Sequence, residues 1–108
     1  MFDISGVNKR YFGVTLYETT DEGEIKNSVK LEVEPPKLKV LKKITRLSKS
    51  KEENTIEELT DSIRLILNKN KDRVKVSEVF IEDLDMDQMD MLMTKYFDWL
   101  NNTKNSPN

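Results

Sequence analysis

Three aspartates at alternate positions come closest to a ligand-binding motif in this sequence. Asp83, Asp85 and Asp87 match the opening of a calcium-binding loop, in which alternate carboxylates supply oxygen ligands. That loop also requires glycine at its sixth position and glutamate at its twelfth, where this chain has Gln88 and Thr94. We therefore interpret the aspartates as acidic residues that complement the dipole at the start of a helix, and we predict no metal site.

The composition removes most catalytic chemistries. The chain contains no histidine and no cysteine, so Ser–His–Asp and Cys–His nucleophile systems are impossible and no disulfide can form. Its glycines (Gly6, Gly13 and Gly23) do not open a predicted helix, so a phosphate-binding glycine loop is not predicted either. We expect a non-enzymatic protein that uses no cofactor.

Length and charge indicate one small, strongly solvated domain. The chain has 108 residues, of which 36% are hydrophobic and 35% charged, with a net charge of −2. It contains no run of the roughly 18 apolar residues that a membrane span needs, and residues 1–4 lack the pattern of a secretory signal. We expect a soluble cytoplasmic protein with no membrane partner.

Two period-two patterns predict an N-terminal β-hairpin. Apolar and polar residues alternate over 11–17 and again over 29–34, as in strands with one buried face. The polar connection, 18–28, is expected to be a long mobile loop. Two strands alone are marginal in water, so we expect their apolar face to rest on helices.

Helical periodicity begins after the strands. Pro35-Pro36 is expected to end the second strand and open a helix over 37–48, because proline is tolerated in the first helical turn. A loop is expected at 48–54. A second helix is predicted from Thr55, whose hydroxyl forms a capping box with Glu58, to about residue 68.

The last third of the chain predicts a turn and a long final helix. A turn is expected at 68–72, and residues 74–82 suit either a short helix capped by Ser77 or an extended segment. Asp85 and Gln88 form a second capping signature, which opens the final helix. The whole reads as α+β, with a hairpin portion (1–34) packed on three to four short helices (35–100) and a disordered tail at 101–108.

The final helix carries a wide apolar stripe. At about 100° per residue, large apolar side chains occupy roughly half of its circumference. They are Met86, Met89, Leu92, Met93, Tyr96, Phe97, Trp99 and Leu100. The stripe can simply be core, or one edge can stay exposed for a partner, since methionine is common on adaptable binding surfaces. For the second case, the expected contacts are Met86, Met89, Met93, Tyr96, Phe97 and Leu100.

Charge is divided between the elements. The first helix has a basic face made of Lys39, Lys42, Lys43, Arg46 and Lys49. Over residues 78–100, by contrast, every charged residue except Lys95 is acidic. The basic face can be a solvated surface, a dock for an acidic partner such as a second copy, or a phosphate-binding surface. Nucleic acid is the least favoured partner, because no DNA-binding pattern accompanies the lysines.

The order of these elements resembles a known family. Residues 29–47 read VKLEVEPPKLKVLKKITRL, a strand that breaks at Pro-Pro into a basic helix. Further on, ILNKNK (66–71) leads through VFIEDLDMDQM (79–89) into YFDWL (96–100). Over residues 29–100 the chain is similar to the tail assembly chaperones of long-tailed bacteriophages and prophages.

The resemblance implies a function that needs no catalysis. Members of that family coat the long, helical tape measure protein, keep it soluble in the bacterial host cytoplasm, help to recruit tail tube subunits, and leave before the tail is finished. Adaptable apolar surface suits such a client, and opposite charged ends favour self-association. The alternatives are a small nucleic-acid-binding regulator from a mobile element and a minor structural component of the tail.

Overall fold

Alternating apolar residues near the N-terminus form an antiparallel hairpin of two strands, β1 (Phe12–Thr19) and β2 (Ile25–Val33). The computed structural model describes the backbone of residues 1–49 and 56–102, and the side chains of 1–46 and 56–102. In the hairpin, Phe12 lies opposite Val33 and Leu16 opposite Val29, so the alternate apolar residues of both strands share one face. The predicted α+β fold, a hairpin with three to four helices, is confirmed, with four α-helices among the described residues.

The hairpin is longer than the sequence pattern predicts. The expected loop over 18–28 is wrong, because pairing continues to Thr19 and Ile25 with an irregularity after Glu18. Polar cross-strand contacts support this outer part, where the Asn27 amide donates to the Glu18 carboxylate at 2.8 Å. The turn closes through Gly23, whose φ of 87° favours glycine.

Within the described part of the chain, four α-helices follow the hairpin: α1 (Leu38–Lys49), α2 (Ile56–Asn68), α3 (Glu78–Glu82) and α4 (Met86–Asn101). Pro35-Pro36 lies before α1 instead of within its first turn. For 74–82, the structure selects the helical alternative over 78–82, although the Ser77 side chain makes no capping hydrogen bond. The predicted Thr55 cap, residues 50–54 of the predicted loop and residues 103–108 of the predicted tail lie outside the described residues.

The turn after α2 pairs with the edge of β2 through backbone hydrogen bonds. The backbone of Glu34 donates to Lys69 O at 2.9 Å, and Lys71 donates to Glu32 O at 2.8 Å. Between them, Asn70 bridges Val33. The turn therefore covers part of the β2 edge and joins the end of α2 to the sheet.

A single apolar cluster joins the hairpin to all four helices. Its fully covered members come from β2, α1, α2, α3 and α4. They are Val33, Ile44, Ile63, Leu67 and Tyr96, each 0% exposed, with Ile66 and Ile81 at 2%. Because α1 contributes Ile44 and α3 contributes Ile81, even these peripheral helices are fixed by apolar burial.

Asn70 is the buried polar residue that shapes the turn between α2 and α3. Its side-chain amide donates to Leu67 O and Val74 O, and its carbonyl accepts from the Val74 N–H, each at 2.9 Å. The residue is 3% exposed. An alanine here would leave buried backbone groups without partners.

We expect Asn70→Ala to lower the free energy of unfolding by about 2 kcal/mol, the cost of leaving buried polar groups unpaired. Urea denaturation measures this loss. Asn27→Ala is the control, because the Asn27 side chain is exposed and makes one surface hydrogen bond. Equal losses in the two variants would contradict the role assigned to Asn70.

Candidate protein-binding surfaces

The start of α4 is fixed by the capping box that the sequence predicts. Gln88 N–H donates to the Asp85 carboxylate at 2.7 Å, and Asp85 N–H donates to the Gln88 side chain at 2.8 Å. Nearby, the Asp83 carboxylate accepts from the Thr19 hydroxyl at 3.2 Å. Asp85 therefore caps α4, whereas Asp83 binds Thr19 and so joins the corner before α4 to the closed end of the hairpin.

The other end of α4 is held by Arg10. The Arg10 guanidinium donates to Trp99 O at 2.6 Å and to Leu100 O at 2.9 Å, and it lies 4.4 Å from the centre of the Trp99 ring. These contacts place a cation at the carbonyl end of the helix, where the dipole favours positive charge. Phe12 packs against Tyr96 and Trp99 at centroid distances of 5.8 and 5.6 Å. The open end of the hairpin is thus joined to the end of α4.

Most of the predicted apolar contact site is core. Met89, Met93 and Tyr96 are 6%, 9% and 0% exposed. The expectation that they line an exposed edge is wrong, because all three belong to the apolar cluster shared with the hairpin and the other helices. Burial raises the pKa of the Tyr96 hydroxyl well above its ordinary value, so this side chain is neutral in the core.

The exposed edge of the stripe is small. Met86 is 45% exposed at the first turn of α4, while Phe97 and Leu100 are partly buried against the core. At 100° per residue, Met86 and Phe97 lie on nearly the same side of the helix. Met91, which the stripe does not include, is 58% exposed on the opposite side. The residues left for a partner are therefore Met86 and the outer parts of Phe97 and Leu100.

A second apolar surface lies before β1, which the sequence patterns did not identify. We call it the apolar arm: Met1, Phe2, Ile4 and Val7, whose exposures range from 57% to 122%. A single 3-10 turn shapes the arm, because the Asp3 carboxylate accepts from Ser5 N–H and Ser5 hydroxyl at 2.9 and 2.7 Å. In the sequence, this surface is marked by apolar residues that follow neither the two-residue period of a strand nor the 3.6-residue period of a helix.

The predicted basic face is exposed. Lys39, Lys42, Lys43 and Arg46 all lie at the surface of α1, and none forms an ion pair with another described residue. The fifth predicted member, Lys49, ends α1, and its side chain lies outside the described residues. The four described cations are therefore available to an external anionic group.

An acidic surface surrounds the closed end of the hairpin. The Thr19–Asp83 hydrogen bond brings the hairpin turn and the α3–α4 corner together, and both segments are rich in carboxylates. We call this set the acidic pole: Asp21, Glu22, Glu24, Glu82, Asp83, Asp85 and Asp87. All of its members except the half-buried Asp83 are exposed. The acidic residues of the hairpin turn, which the sequence analysis did not include, thus join those of the α3–α4 corner on one surface.

A paired cluster joins α2 to α3 on another side of the molecule. The Arg64 guanidinium donates to both Glu78 carboxylate oxygens at 2.8 and 2.6 Å and to Asp61 at 2.5 Å. The hydrogen bonds from Arg64 hold the pKa of Glu78 below its ordinary value near 4.5. Because these charged groups pair with one another, few of them are free to bind a ligand.

A search against protein-family models, curated proteins and solved structures found no match to this chain. Among the helices of residues 1–49 and 56–102, none combines the length and apolar character needed to cross a bilayer.

We expect Arg10→Ala to lower the free energy of unfolding by about 2 kcal/mol, because two charge-assisted hydrogen bonds to the end of α4 are lost. Arg10→Lys should recover only part of this, since lysine lacks the planar two-pronged donor. Lys9→Ala removes only a surface ion pair with Glu34 and is the control. Denaturant unfolding measures all three, and a Lys9→Ala loss as large as that of Arg10→Ala would contradict the assignment.

The Arg64–Glu78 pair should make stability depend on acidity. Because the folded pKa of Glu78 is lowered, its contribution is fully present above the unfolded pKa near 4.5 and is lost as the pH falls through the folded value. Glu78→Gln should therefore melt below wild type at pH 7 and approach wild type near pH 3. Thermal melts at both pH values test this, and a gap that stays constant would refute it.

Proposed function

We propose that this protein is a tail assembly chaperone of a bacteriophage or prophage. It binds the tape measure protein in the bacterial cytoplasm and keeps it soluble during tail morphogenesis, with the tail tube protein as a possible second partner. The proposal combines the resemblance over residues 29–100 with one observation on the folded chain. That observation is the large apolar side chains that the core leaves exposed.

The exposed apolar set is large for a chain that is only 36% hydrophobic. It includes the apolar arm, the first residues of three helices and further side chains on α2 and α4. The members outside the arm include Leu38, Ile56, Leu65, Met86 and Met91, each between 41% and 65% exposed. Dispersed apolar surface of this kind suits weak, repeated contacts with a long amphipathic client better than one tight pocket.

The first turn of α4 is the proposed client contact. Met86 is an unbranched, polarizable side chain that can adapt to successive, non-identical helical segments of a client. The partly buried Phe97 lies on the same side of α4 but about 16 Å further along its axis, so it can contact a neighbouring turn of a long client helix. The basic face of α1 adds electrostatic attraction for acidic segments of the client.

Two other functions remain as alternatives to be tested. A nucleic-acid-binding regulator is favoured by the basic face alone, and it would shift generic duplex DNA in a gel with a steep salt dependence. A minor structural component of the tail would be retained in purified virions, whereas a chaperone would be absent from them.

The proposed client contact predicts different effects for two methionines of one helix. Co-expressed with the tape measure protein of the same genome, Met86→Asp should reduce the soluble client about tenfold, because the variant places a charge in an apolar contact. Met91→Asp is the matched control: the same substitution, in the same helix, on the opposite side. The soluble fraction of the client, measured after centrifugation, provides the readout.

Both variants must first show the wild-type circular dichroism spectrum and a cooperative melt. Equal loss of soluble client in the two variants would remove α4 as a specific contact. A client that is equally soluble with and without the wild-type protein would overturn the chaperone function itself.

A further inference from the structure

We propose that the free edge of β1 binds an extended segment of a partner protein as a third strand of the sheet. That segment alternates apolar and polar residues, and it carries basic side chains at the end that lies against the acidic pole. This edge would bind such a strand whether or not the protein is a chaperone, because the proposed client contact lies on α4.

The register of the hairpin shows which backbone groups of β1 are unused. Glu32 O accepts from Lys71 N–H at 2.8 Å, so the backbone groups of Glu32 point away from β1. Its cross-strand partner is Gly13, and both members of such an antiparallel pair point their N–H and C=O groups outward. The same holds two and four residues further along β1, at Thr15 and Tyr17. Among the described residues, none of these three makes a backbone hydrogen bond outside the hairpin.

Asp83 caps one end of this edge. The next outward N–H along β1, that of Thr19, donates to the Asp83 carboxylate at 3.3 Å. A side chain of the α3–α4 corner thus lies where a third strand would otherwise pair. The accessible edge therefore runs from Gly13 to Tyr17 and leads directly into the acidic pole, to which Asp83 belongs.

The side chains of β1 do not protect its edge against pairing. Sheet edges are usually protected by charged residues, proline or a covering segment. The β2 edge has such protection, because the turn after α2 pairs with Glu32 and because Lys26 and Lys30 are exposed further along it. By contrast, residues 11–17 (YFGVTLY) contain no charge and no proline, and a Cβ on Gly13 would meet open space. The β1 edge is thus the one open to a strand.

An added strand would also extend the apolar core. Phe12 and Val14 are only partly buried, and so is Trp99, whose ring centre lies 5.6 Å from that of Phe12. Alternate apolar side chains of the added strand would lie beside Phe12 and Val14 and cover more of their surface. In this mode of recognition, backbone pairing supplies affinity and the alternate side chains supply specificity.

Charge determines the direction of the segment. No carboxylate of the acidic pole pairs with a described cation, so basic residues of a partner would be attracted to the closed end of the hairpin. In a strand antiparallel to β1, the residues at that end are the N-terminal ones. The favoured segment therefore begins with lysine or arginine and continues with alternating apolar residues.

A peptide with the sequence of β2 (IKNSVKLEV, residues 25–33) has this character and is the probe for the test. Labelled at its C-terminal end, it should bind the full chain saturably at low salt in fluorescence anisotropy. Binding should weaken at about 0.5 M sodium chloride, where the screening length falls to about 4 Å. No saturable binding at protein concentrations up to about 1 mM would overturn the proposal.

Two N-methylated peptides distinguish the free edge from displacement of β2. With its apolar side chains toward the core, the bound peptide donates to β1 from Lys30 and Glu32. Methylation of these two amides should weaken binding at least about tenfold, because two hydrogen bonds are lost. Methylation of the Val29 and Leu31 amides, which then face solvent, should leave binding unchanged. The reverse pattern would show that the peptide replaces β2, and equal losses would show that it does not pair as a strand; either result excludes the proposed mode.

A proline on each edge tests the same contact from the protein side. Thr15→Pro removes the central N–H of the free edge, which takes no part in pairing with β2, and should weaken peptide binding at least about tenfold. Lys30→Pro is the matched control, because Lys30 is the cross-strand partner of Thr15 and its N–H lies on the opposite edge. Similar affinities for the two variants would contradict the assignment. The N-methylated peptides test the edge on the wild-type chain, whatever the effect of proline on folding.

The acidic end of the contact has its own pair of variants. Glu24→Gln with Glu82→Gln should weaken peptide binding about threefold. Asp72→Asn with Asp98→Asn removes the same charge away from the acidic pole and should bind like wild type. All four positions are exposed. Equal weakening by the two double variants would refute the basic end assigned to the segment.

A second copy of the chain is the other possible occupant of the edge. Sedimentation velocity without peptide should give the same mass distribution for wild type and Thr15→Pro. A wild-type oligomer that Thr15→Pro dissociates would mean that another copy fills the edge, and the partner-protein assignment would then be wrong.

Discussion

Covering the apolar face of a two-stranded sheet is the constraint on which this structure depends. Such a sheet is marginal on its own in water, and here one face carries Phe12, Leu16 and their partners on β2. Tyr96 is the centre of the cover: it is fully buried, and its ring lies 5.8 Å from Phe12 and 5.7 Å from Trp99. The position of α4 follows from this contact.

The same constraint limits which apolar side chains stay at the surface. The middle of the α4 stripe lies in the core, so the apolar side chains that stay exposed are ones that the core does not need: Met86, the apolar arm and the starts of α1 and α2. The charged side chains follow a similar rule. Those that join elements, such as Arg10 and Arg64, are paired, whereas those of α1 face solvent. The exposed apolar and charged side chains are thereby largely distinct from those that stabilise the fold.

The elements could be predicted from the sequence because their signals are local. The capping box at Asp85, the end of α2 at Asn68 and the apolar face of the hairpin each depend on residues close together in the chain. The length of the hairpin could not be predicted in the same way, because Asn27 and its neighbours are polar on both faces and show no alternation. Pairing there depends on cross-strand contacts, which a pattern along one strand does not contain.

The candidate site was predicted less well than the fold. A helical wheel shows that Met86, Met89 and Met93 share a side of α4, but it does not show which part of that side another element covers. Coverage depends on the position of the hairpin, which is set by contacts such as Phe12 with Trp99, 87 positions apart. The buried fraction of a stripe is a tertiary property. Only the three-dimensional arrangement distinguishes the exposed Met86 from the buried Met89 and Met93.

The contact between Arg10 and the end of α4 has a consequence for how the protein is made. It joins residues 89 and 90 positions apart, so the hairpin cannot acquire its complete cover until residue 100 has left the ribosome. Until then the nascent strands expose part of their apolar face. The domain should therefore fold in one late cooperative step, and cellular factors that shield emerging polypeptides would have their greatest effect just before that step.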